Sequence, residues 1–417
     1  MSSWRTRGAL LVGRAAAGAS RALGRGGGSV IGGRAVLALA PGALTELAAD
    51  LSCVLVSGTN GKTTSTRLLA AALAEEGPVV SNVEGANMPA GLVGALARRP
   101  PGARRAALEV DEPHLPAVAA AVRPSAVVLL NLSRDQLDRV SEVARVAARW
   151  RAALTGQPPP VVVANADDPL VAWAADPAPE VIWVGAGQTW TADSSLCPWC
   201  HAPLARPEGR WRCTTCGRAR PDLAWALQTG DGAAPRVCGP GGLAEPLGLA
   251  LPGRANAANA VMALACAQRL GVPPEAALRR LRDVASVAGR YAVVRIDGRY
   301  PVRLLLAKNP AGWGELFDVL SPAPAPVVVA INARAADGRD PSWLWDVPFE
   351  RLAGRQVVAT GDRRRDLAVR LLYAGVAHTV RADPWADGGS DGLTGGAPVD
   401  VVANYTAFHD LLRRTHG

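Results

Sequence analysis

The sequence predicts an α/β protein with two α/β domains, the first of which carries a small inserted zinc ribbon. Short apolar runs alternate with helical stretches, a glycine-rich loop joins the first run to a helix, and two Cys-x-x-Cys pairs interrupt the first domain. A length of 417 residues suffices for two to three domains of about 150 residues each. No apolar run approaches the roughly 20 residues of a bilayer-spanning helix, so we expect a globular chain.

The first 45 residues form a basic N-terminal segment. They contain six arginines and no acidic residue, which we interpret as a basic helix, although the composition also suits an organelle transit peptide. The whole chain has a formal net charge of +9, which is compatible with nucleic acid, an anionic membrane or a polyanionic substrate as partner. Only Lys62 and Lys308 are lysines among the 45 basic residues. Both are therefore candidates for sites that need a compact ammonium group.

Apolar runs and helical stretches define the two domains. The predicted strands of the first domain, residues 46–287, are 51–57, 106–110, 126–130, 161–164 and 181–184. Helices at 63–73, 141–154, 255–270 and 274–284 accompany them. The second domain, residues 288–417, has predicted strands at 302–306, 327–331 and 357–360 and a helix at 366–373. Strands that alternate with helices in this way form a mostly parallel sheet.

Residues 57–64, Ser-Gly-Thr-Asn-Gly-Lys-Thr-Thr, form the strongest chemical signal. Glycines let the backbone amides of such a loop face a phosphate, and the following helix adds the positive end of its dipole. Lys62 is expected to reach the β- and γ-phosphates, and Thr63 to offer its hydroxyl to Mg²⁺. The predicted nucleotide-binding residues of the loop are Gly58, Thr59, Asn60, Gly61, Lys62, Thr63 and Thr64.

Four cysteines form two Cys-x-x-Cys pairs separated by twelve residues: Cys197, Cys200, Cys213 and Cys216. Four thiolates at this spacing can close a tetrahedral shell around Zn²⁺, so we predict a structural zinc ribbon at about residues 194–220. A nucleic-acid reader is the alternative, because Trp199 and Trp211 could stack on bases. Cys53 and Cys266 are interpreted as buried structural thiols, and Cys238 lies in a predicted loop with no histidine near it in sequence, so we predict no glutaminase nucleophile.

The phosphate loop resembles that of the Mur ligase superfamily, the ATP-dependent enzymes that join amino acids to cell-wall precursors and glutamates to folate. Other matching segments are Asn131 with Asp135 and Asp138, the Asn-x-Asp-Asp-Pro segment at 165–169, Asn256 with Asn259, and Gly289-Arg290. The resemblance implies that Glu109 holds Mg²⁺ together with Thr63. It also implies a Rossmann-like C-terminal domain, and nucleotide or phosphate contacts from Asn256, Arg290 and Lys308.

The sequence departs from the superfamily pattern in two places. Gln136 stands where most of these ligases have histidine, and Lys62 is the only lysine of the central domain. A carbamylated lysine therefore cannot be a metal ligand, and we expect the second metal site to be altered or absent. The phosphate loop also begins too early for a preceding UDP-binding domain of about a hundred residues, so we expect a substrate that is not held through UDP.

Five features together resemble one branch of the superfamily: the shortened N-terminus, the Asn-Leu-Ser-Arg-Asp-Gln-Leu-Asp-Arg segment at 131–139, the ribbon, the Lys-Asn-Pro at 308–310 and the acidic, Trp-rich stretch at 337–346. This branch is the synthetase subunit of lipid II isoglutaminyl synthase, which works with a GatD-like glutaminase. The resemblance implies ATP-dependent amidation of the D-glutamate α-carboxyl of lipid II through an acyl phosphate, with ammonia from the glutaminase. It further implies a cytoplasmic protein at the inner face of the bacterial plasma membrane.

In that branch a C-terminal aspartate completes the catalytic triad of the partner glutaminase. Asp346 is our first choice for this residue and Asp340 our second. Two alternative functions stay open at this point. One is an amino-acid ligase of the Mur or folylpolyglutamate type, and the other is a zinc-ribbon NTPase that binds nucleic acid.

Overall fold

The computed structural model describes residues 3–22, 28–82, 86–134, 143–230, 233–285, 291–385 and 398–415. The chain divides into two compact units. The first comprises Met1–Leu132 and Glu142–Ala285, and the second comprises Ser133–Ser141 and Ser286–Gly417. Five residues that the motifs singled out lie outside the described residues: Asp135, Gln136, Asp138, Gly289 and Arg290. Within the described ranges, no helix combines the length and apolar character needed to cross a bilayer.

A large, mostly parallel sheet forms the centre of the first unit. The strands of this unit are β1 (Ser52–Ser57), β2 (Val79–Ser81), β3 (Arg105–Glu109), β4 (Ala126–Leu129), β5 (Val161–Asn165), β6 (Val181–Gly185), β7 (Leu204–Ala205), β8 (Arg212–Cys213), β9 (Trp225–Gln228), β10 (Arg236–Gly239) and β11 (Leu243–Pro246). Among the described residues the sheet has nine strands in the order β11-β10-β9-β6-β5-β4-β1-β3-β2. In this sheet β10 pairs antiparallel with both of its neighbours, β9 and β11, and the other described pairs are parallel. In the ribbon, β7 and β8 form a separate antiparallel hairpin.

Helices cover both faces of this sheet, and their apolar sides pack on its strands. They are α1 (Trp4–Ala22), α2 (Ser29–Leu39), α3 (Ala43–Ala48), α4 (Lys62–Leu73), α5 (Pro89–Leu96), α6 (Leu115–Val122), α7 (Val143–Gly156), α8 (Pro169–Ala175), α9 (Arg254–Arg269) and α10 (Pro274–Arg282). The predicted basic helix is present as α1, which packs closely on α2. A Cβ at Gly32 would lie 2.7 Å from the carbonyl oxygen of Gly13, so this helix crossing requires glycine.

The second unit is a smaller α/β layer structure. Its strands are β12 (Tyr291–Ile296), β13 (Tyr300–Leu306), β14 (Val327–Ala330), β15 (Val357–Thr360), β16 (His378–Val380) and β17 (Val399–Ala403), and its helices are α11 (Pro310–Phe317), α12 (Arg364–Tyr373) and α13 (Tyr405–Arg413). The sheet order is β12-β13-β17-β14-β15-β16, and only β12 pairs antiparallel. Trp313 and Phe349 pack on one face of this sheet, and Phe408 packs on the other.

The predicted α/β fold class is confirmed. Every strand predicted from an apolar run is present, with ends within two residues of the predicted ones. The sequence did not predict β2, the strands β9 to β11 that extend the first sheet, or β12, β16 and β17. Lys308 follows β13 and Asn332 follows β14 by two residues, so both lie at the carboxyl edge of the second sheet, where α/β proteins bind ligands.

Candidate nucleotide and metal sites

Three neighbouring strands of the first unit, β4, β1 and β3, bring the predicted nucleotide site together at one sheet edge. The phosphate loop follows β1, Asn131 follows β4, and Glu109 is the last residue of β3. The parallel register places Glu109 beside Val56, directly before the loop. The loop and the proposed magnesium ligand therefore lie next to each other, although more than 45 residues separate them in sequence.

Two asparagines brace the phosphate loop. Asn131 accepts a hydrogen bond from the Asn60 N–H at 2.9 Å and donates one to the Asn60 carbonyl at 3.0 Å. On another side, a Cβ at Gly61 would lie 2.4 Å from Asn259 Oδ1, and Gly61 has a left-handed φ of +85°. The loop conformation therefore requires glycine at this position.

Asn256, which the sequence favoured, makes a local contact instead. Its Nδ2 donates to the Pro252 carbonyl at 2.7 Å, at the beginning of α9. Asn259, one helical turn later and 8% exposed, is the residue that packs against the loop. A nucleotide contact from Asn256 stays a prediction.

Lys62 is buried in an acidic environment. Its Nζ lies 2.7 Å from Glu112 Oε2, 3.8 Å from Asp111 Oδ1 and 3.3 Å from the Thr59 carbonyl oxygen. Burial disfavours the charged amine, but the carboxylates of Glu112, Asp111 and Glu109 together outweigh burial and hold the pKa of Lys62 above its usual value. Lys62 is thus cationic at neutral pH. The sequence did not predict Glu112 as its counterion.

Glu109 has the features of a metal ligand. Its side chain is 2% exposed, and Asn87 Nδ2 donates to its Oε1 at 3.1 Å. Its Oε2 is buried and has no hydrogen-bond partner among the described residues. A buried carboxylate oxygen without a partner is costly unless a cation or a donor satisfies it, so the donor set fits Mg²⁺.

The turn at 165–168 supports the site structurally. Asp168 is fully buried, caps α8 through the Leu170 and Val171 amides, and also accepts from the Leu132 N–H at 2.8 Å. Burial raises the pKa of Asp168, and these three amides oppose that rise. Since Leu132 follows Asn131, this aspartate fixes the backbone beside the residue that braces the phosphate loop.

The four predicted zinc ligands converge. The Sγ atoms of Cys197, Cys200, Cys213 and Cys216 all lie within 4.8 Å of one another. The pairs Cys197–Cys216 and Cys200–Cys213 are 3.7 and 3.4 Å apart, close to the about 3.8 Å expected between thiolates on a tetrahedral zinc. Amides of Cys216 and Thr215 donate to Cys213 and lower the pKa of its thiol to about 6. The cluster can therefore hold a metal ion.

The ribbon is fastened to the 165–168 turn. Trp211 is 1% exposed, and its Nε1 donates to the Ala166 carbonyl at 2.8 Å. Arg220 pairs with Asp167 at 2.8 Å. Trp199 stacks on Trp211 with ring centroids 6.0 Å apart. Trp211 therefore anchors the ribbon and has no face free for a base, which removes one support of the nucleic-acid alternative.

Two of the remaining cysteines are buried, as the sequence predicted, whereas Cys238 lies in a strand and not in the predicted loop. Cys53 lies in β1 and Cys266 in α9, and burial raises the pKa of each thiol to about 12. Neither is a thiolate at neutral pH, as the sequence predicted for structural thiols. Cys238 lies in β10 and is partly exposed.

The two aspartates proposed for the partner's catalytic triad, Asp340 and Asp346, have different surroundings in the second unit. The Asp340 carboxylate accepts hydrogen bonds from the Ser342 N–H and from the Ser342 hydroxyl, both at 2.9 Å. The hydrogen bond from the backbone N–H lowers the pKa of Asp340. Asp346 ends the 3₁₀ turn Ser342–Asp346 and is exposed; its Oδ2 lies 3.6 Å from Arg134 of the same unit. Lys308 Nζ lies 5.4 Å from the centre of the Tyr405 ring.

Large apolar side chains are exposed beside Asp346 on its own turn and on α12, which packs against that turn. Trp345 is 54% exposed and meets Tyr373 edge-on, with ring centroids 5.4 Å apart. Leu372 and Tyr373 of α12 are 69% and 74% exposed. Buried Arg370 holds this turn by donating to the Leu344 and Val347 carbonyls. Asp346 is therefore presented from a fixed turn within an exposed apolar surface.

Comparison with known proteins places this architecture in a family. The Mur ligase middle domain model matches residues 56–195, and the MurT ligase C-terminal model matches residues 306–408. The subunit MurT of lipid II isoglutaminyl synthase (glutamine-hydrolyzing) from Streptococcus pneumoniae is 31% identical over 88% of this chain and 86% of its own length. The chain belongs to the MurT family. The MurT subunit of Staphylococcus aureus is 30% identical over 86% of this chain and 85% of its own length.

Solved structures agree on the fold. A pseudomurein peptide ligase type C from Methanothermus fervidus superposes with a TM-score of 0.67 at 18% identity, covering 87% of this chain and 79% of its own. MurF from Acinetobacter baumannii gives a TM-score of 0.64 at 16% identity, covering 92% of this chain and 80% of its own. These structures confirm the fold, whereas the family models and the MurT relatives confirm the predicted resemblance to this branch.

Proposed function

We propose that this chain is the ATP-dependent synthetase subunit of a lipid II isoglutaminyl synthase, which amidates the α-carboxyl of D-glutamate in the lipid II stem peptide. The observation that carries the proposal is the braced phosphate loop with cationic Lys62 and the Glu109 carboxylate, whose Oε2 has no hydrogen-bond partner among the described residues, in a chain with MurT relatives along most of its length. Amide formation from a carboxylate in water is uphill. ATP would therefore first convert the carboxylate to an acyl phosphate, which ammonia then attacks.

The proposed roles follow from the geometry of the site. Lys62 and the amides of residues 58–64 hold the β- and γ-phosphates, which supplies the positioning and charge neutralisation that phosphoryl transfer needs. The Lys62 ammonium is paired with the Glu112 carboxylate at 2.7 Å, so a bound phosphate would have to share Lys62 with Glu112. Mg²⁺, held by Thr63 and Glu109, would neutralise charge on the phosphate oxygens. Asn256, Arg290 and Lys308 remain proposed nucleotide or phosphate contacts.

We also propose that a GatD-like glutaminase supplies the ammonia and docks near Asp346. Buried Cys53 and Cys266 support the need for a separate glutaminase, because both thiols are protonated at neutral pH. Exposed Trp345 and Tyr373 support a protein contact at Asp346, since large exposed apolar patches mark interaction sites. The carboxylate of Asp346 would complete the partner's catalytic triad, with Asp340 as the second choice.

Two further parts of the proposal concern zinc and location. The four-cysteine cluster would hold Zn²⁺ in a closed shell, with a structural role. Lipid II is a lipid-linked substrate, so we place the reaction at the inner face of the bacterial plasma membrane.

The experiment that tests the proposed function follows the stem peptide by mass spectrometry. The purified chain is incubated with ATP, Mg²⁺, ammonium and detergent-solubilised lipid II, with and without a GatD-like glutaminase. We expect conversion of one carboxyl to an amide, with glutamine replacing ammonium only when the partner is present. Lys62→Ala should abolish turnover, whereas Arg145→Ala on the exposed side of α7 should leave it unchanged. No amidation, but ATP consumption when an amino acid is offered, would favour the amino-acid ligase alternative.

A further inference from the structure

We infer that the outward face of α1 is a membrane-contact surface that binds bilayers containing anionic phospholipid. The helix has 19 residues, and its inward face is made of small or short side chains: Thr6, Ala9, Gly13 and Ser20 are all buried. These residues pack α1 onto the first unit. On the opposite side, Trp4, Leu11 and Ala15 are exposed in the part of the chain that the structure describes.

That outward face is apolar. At 3.6 residues per turn, Trp4, Gly8, Leu11 and Ala15 fall on one line along the helix, opposite Gly13. Trp4 is 85% exposed and Leu11 is 66% exposed. A surface helix of a globular protein normally turns its apolar stripe inward, whereas α1 exposes Trp4 and Leu11 on this side and buries only small or short side chains on the other. Contact with an apolar environment outside the first unit would remove these two side chains from water.

Arginines border this apolar line. Arg7, Arg14 and Arg21 recur at seven-residue spacing, so they form a second exposed line beside it, and exposed Arg5 lies on the other side. The first 45 residues contain no aspartate or glutamate, and the carboxylate that reaches this helix, Glu46, is bonded to the Ser3 N–H at 2.7 Å. The surface is therefore apolar at its centre and positive at its margins.

This combination favours a bilayer as occupant. Helices that lie in the membrane interface place Trp and Leu into the headgroup boundary and Arg among the phosphates. Anionic headgroups supply the negative charge that the first 45 residues lack. Next to α1, α2 also exposes Ile31 and Leu39, at 42% and 45%. The inference extends the proposed function, because a lipid-linked substrate is found at a bilayer, but vesicle binding itself requires no catalysis.

Co-sedimentation of the full chain with vesicles tests the surface. The vesicles contain phosphatidylcholine with one third phosphatidylglycerol, or phosphatidylcholine alone, at low and at high salt, without lipid II. We expect binding to the anionic vesicles that weakens at high salt, and little binding to the neutral ones. Each arginine near an anionic surface strengthens binding about five-fold, so Arg7→Gln with Arg14→Gln should weaken it about 25-fold.

Matched variants separate this surface from general charge and hydrophobicity. Arg145→Gln with Arg149→Gln removes two exposed arginines from α7 and should leave vesicle binding within about two-fold of wild type, since they lie outside the surface. Leu11→Ser should weaken binding several-fold, whereas Leu372→Ser, at an equally exposed position of 69% on α12, should not. Unchanged circular dichroism checks that each variant is folded.

Three results would overturn the inference: no binding of wild type to the anionic vesicles, equal loss in the variants and their controls, or a dimer in light scattering that Leu11→Ser dissociates. The last would make this face a contact between two copies of the chain. Amidation of detergent-solubilised lipid II is measured in parallel. A chain that binds vesicles but does not amidate would contradict the proposed function alone, and one that amidates without binding vesicles would contradict the surface alone.

Discussion

Replacing Gly61 by alanine tests whether α9 braces the phosphate loop as described. Gly61 has a φ of +85°, and alanine in the left-handed region costs about 1–2 kcal/mol. The added Cβ would lie 2.4 Å from Asn259 Oδ1. The Asn259 side chain is 8% exposed and has to shift within a packed site, which costs about a further 1–3 kcal/mol. The expected loss in free energy of unfolding is therefore about 2–5 kcal/mol.

A double-mutant cycle isolates the contact. In an Asn259→Ala background the clash is absent, so Gly61→Ala should lower the free energy of unfolding only by the cost of the left-handed backbone. The coupling free energy between the two substitutions should therefore be about 1–3 kcal/mol. Urea unfolding measures each variant, with the transition that ATP shifts assigned to the first unit. ATP affinity should fall in Gly61→Ala and be partly restored in the double variant.

Gly102 provides the control in the same unit. Its φ is +79°, and a Cβ there would meet no atom within 4 Å, so Gly102→Ala carries the backbone cost without a clash. The loss in free energy of unfolding from Gly102→Ala should add to that from Asn259→Ala, and Gly102→Ala should leave ATP affinity unchanged. If Gly61→Ala costs no more than Gly102→Ala, or if Asn259→Ala does not reduce its cost, then Asn259 does not brace the loop.

Three further predictions concern the other described sites. Elemental analysis should find one zinc per chain, and Cys213→Ser should lower both the zinc content and the melting temperature, because the shell then lacks one thiolate; a zinc-free wild type would refute the assignment. Asp168→Asn should lower the free energy of unfolding by about 2–3 kcal/mol, since its NH₂ would face a backbone N–H, whereas exposed Asp283→Asn should have little effect in the same urea titration. Asp346→Asn should lose glutamine-dependent amidation and keep ammonium-dependent amidation, with Asp340→Asn as the comparison; equal loss of both activities would assign Asp346 to the synthetase site or the fold.

The parts of the fold that the sequence could predict share a strong local signal. Buried parallel strands such as β4 are continuous apolar runs, and the phosphate loop carries glycine at positions where a side chain would clash. The strands β9, β10 and β11 have only four residues each, and β10 and β11 also contain or adjoin glycine and proline, so their sequences resemble loops. They form strands because β6 offers a free edge, which is a tertiary effect.

In the nucleotide site, too, some features could be predicted from the sequence and others required the packed structure. Three acidic residues lie within residues 109–112, and only the turn after β3 determines that Glu112 reaches Lys62. Asn256 and Asn259 stand one helical turn apart on α9, and the docking of that helix determines which one meets Gly61. Residue types and spacing identified the chemistry, whereas the pairing of side chains required the packed structure.

The fastening of the ribbon has a consequence for ligand binding. The turn at 165–168 is held by Trp211 and Arg220 of the ribbon on one side, and it holds the Leu132 amide beside the phosphate loop on the other. A metal bound to the four cysteines would order the ribbon and, through these contacts, the turn at 165–168. Nucleotide binding would then cost less conformational entropy, because this turn is already ordered. Linkage makes the effect reciprocal: ATP should raise the affinity of the cysteine cluster for its metal by the factor by which the metal raises affinity for ATP.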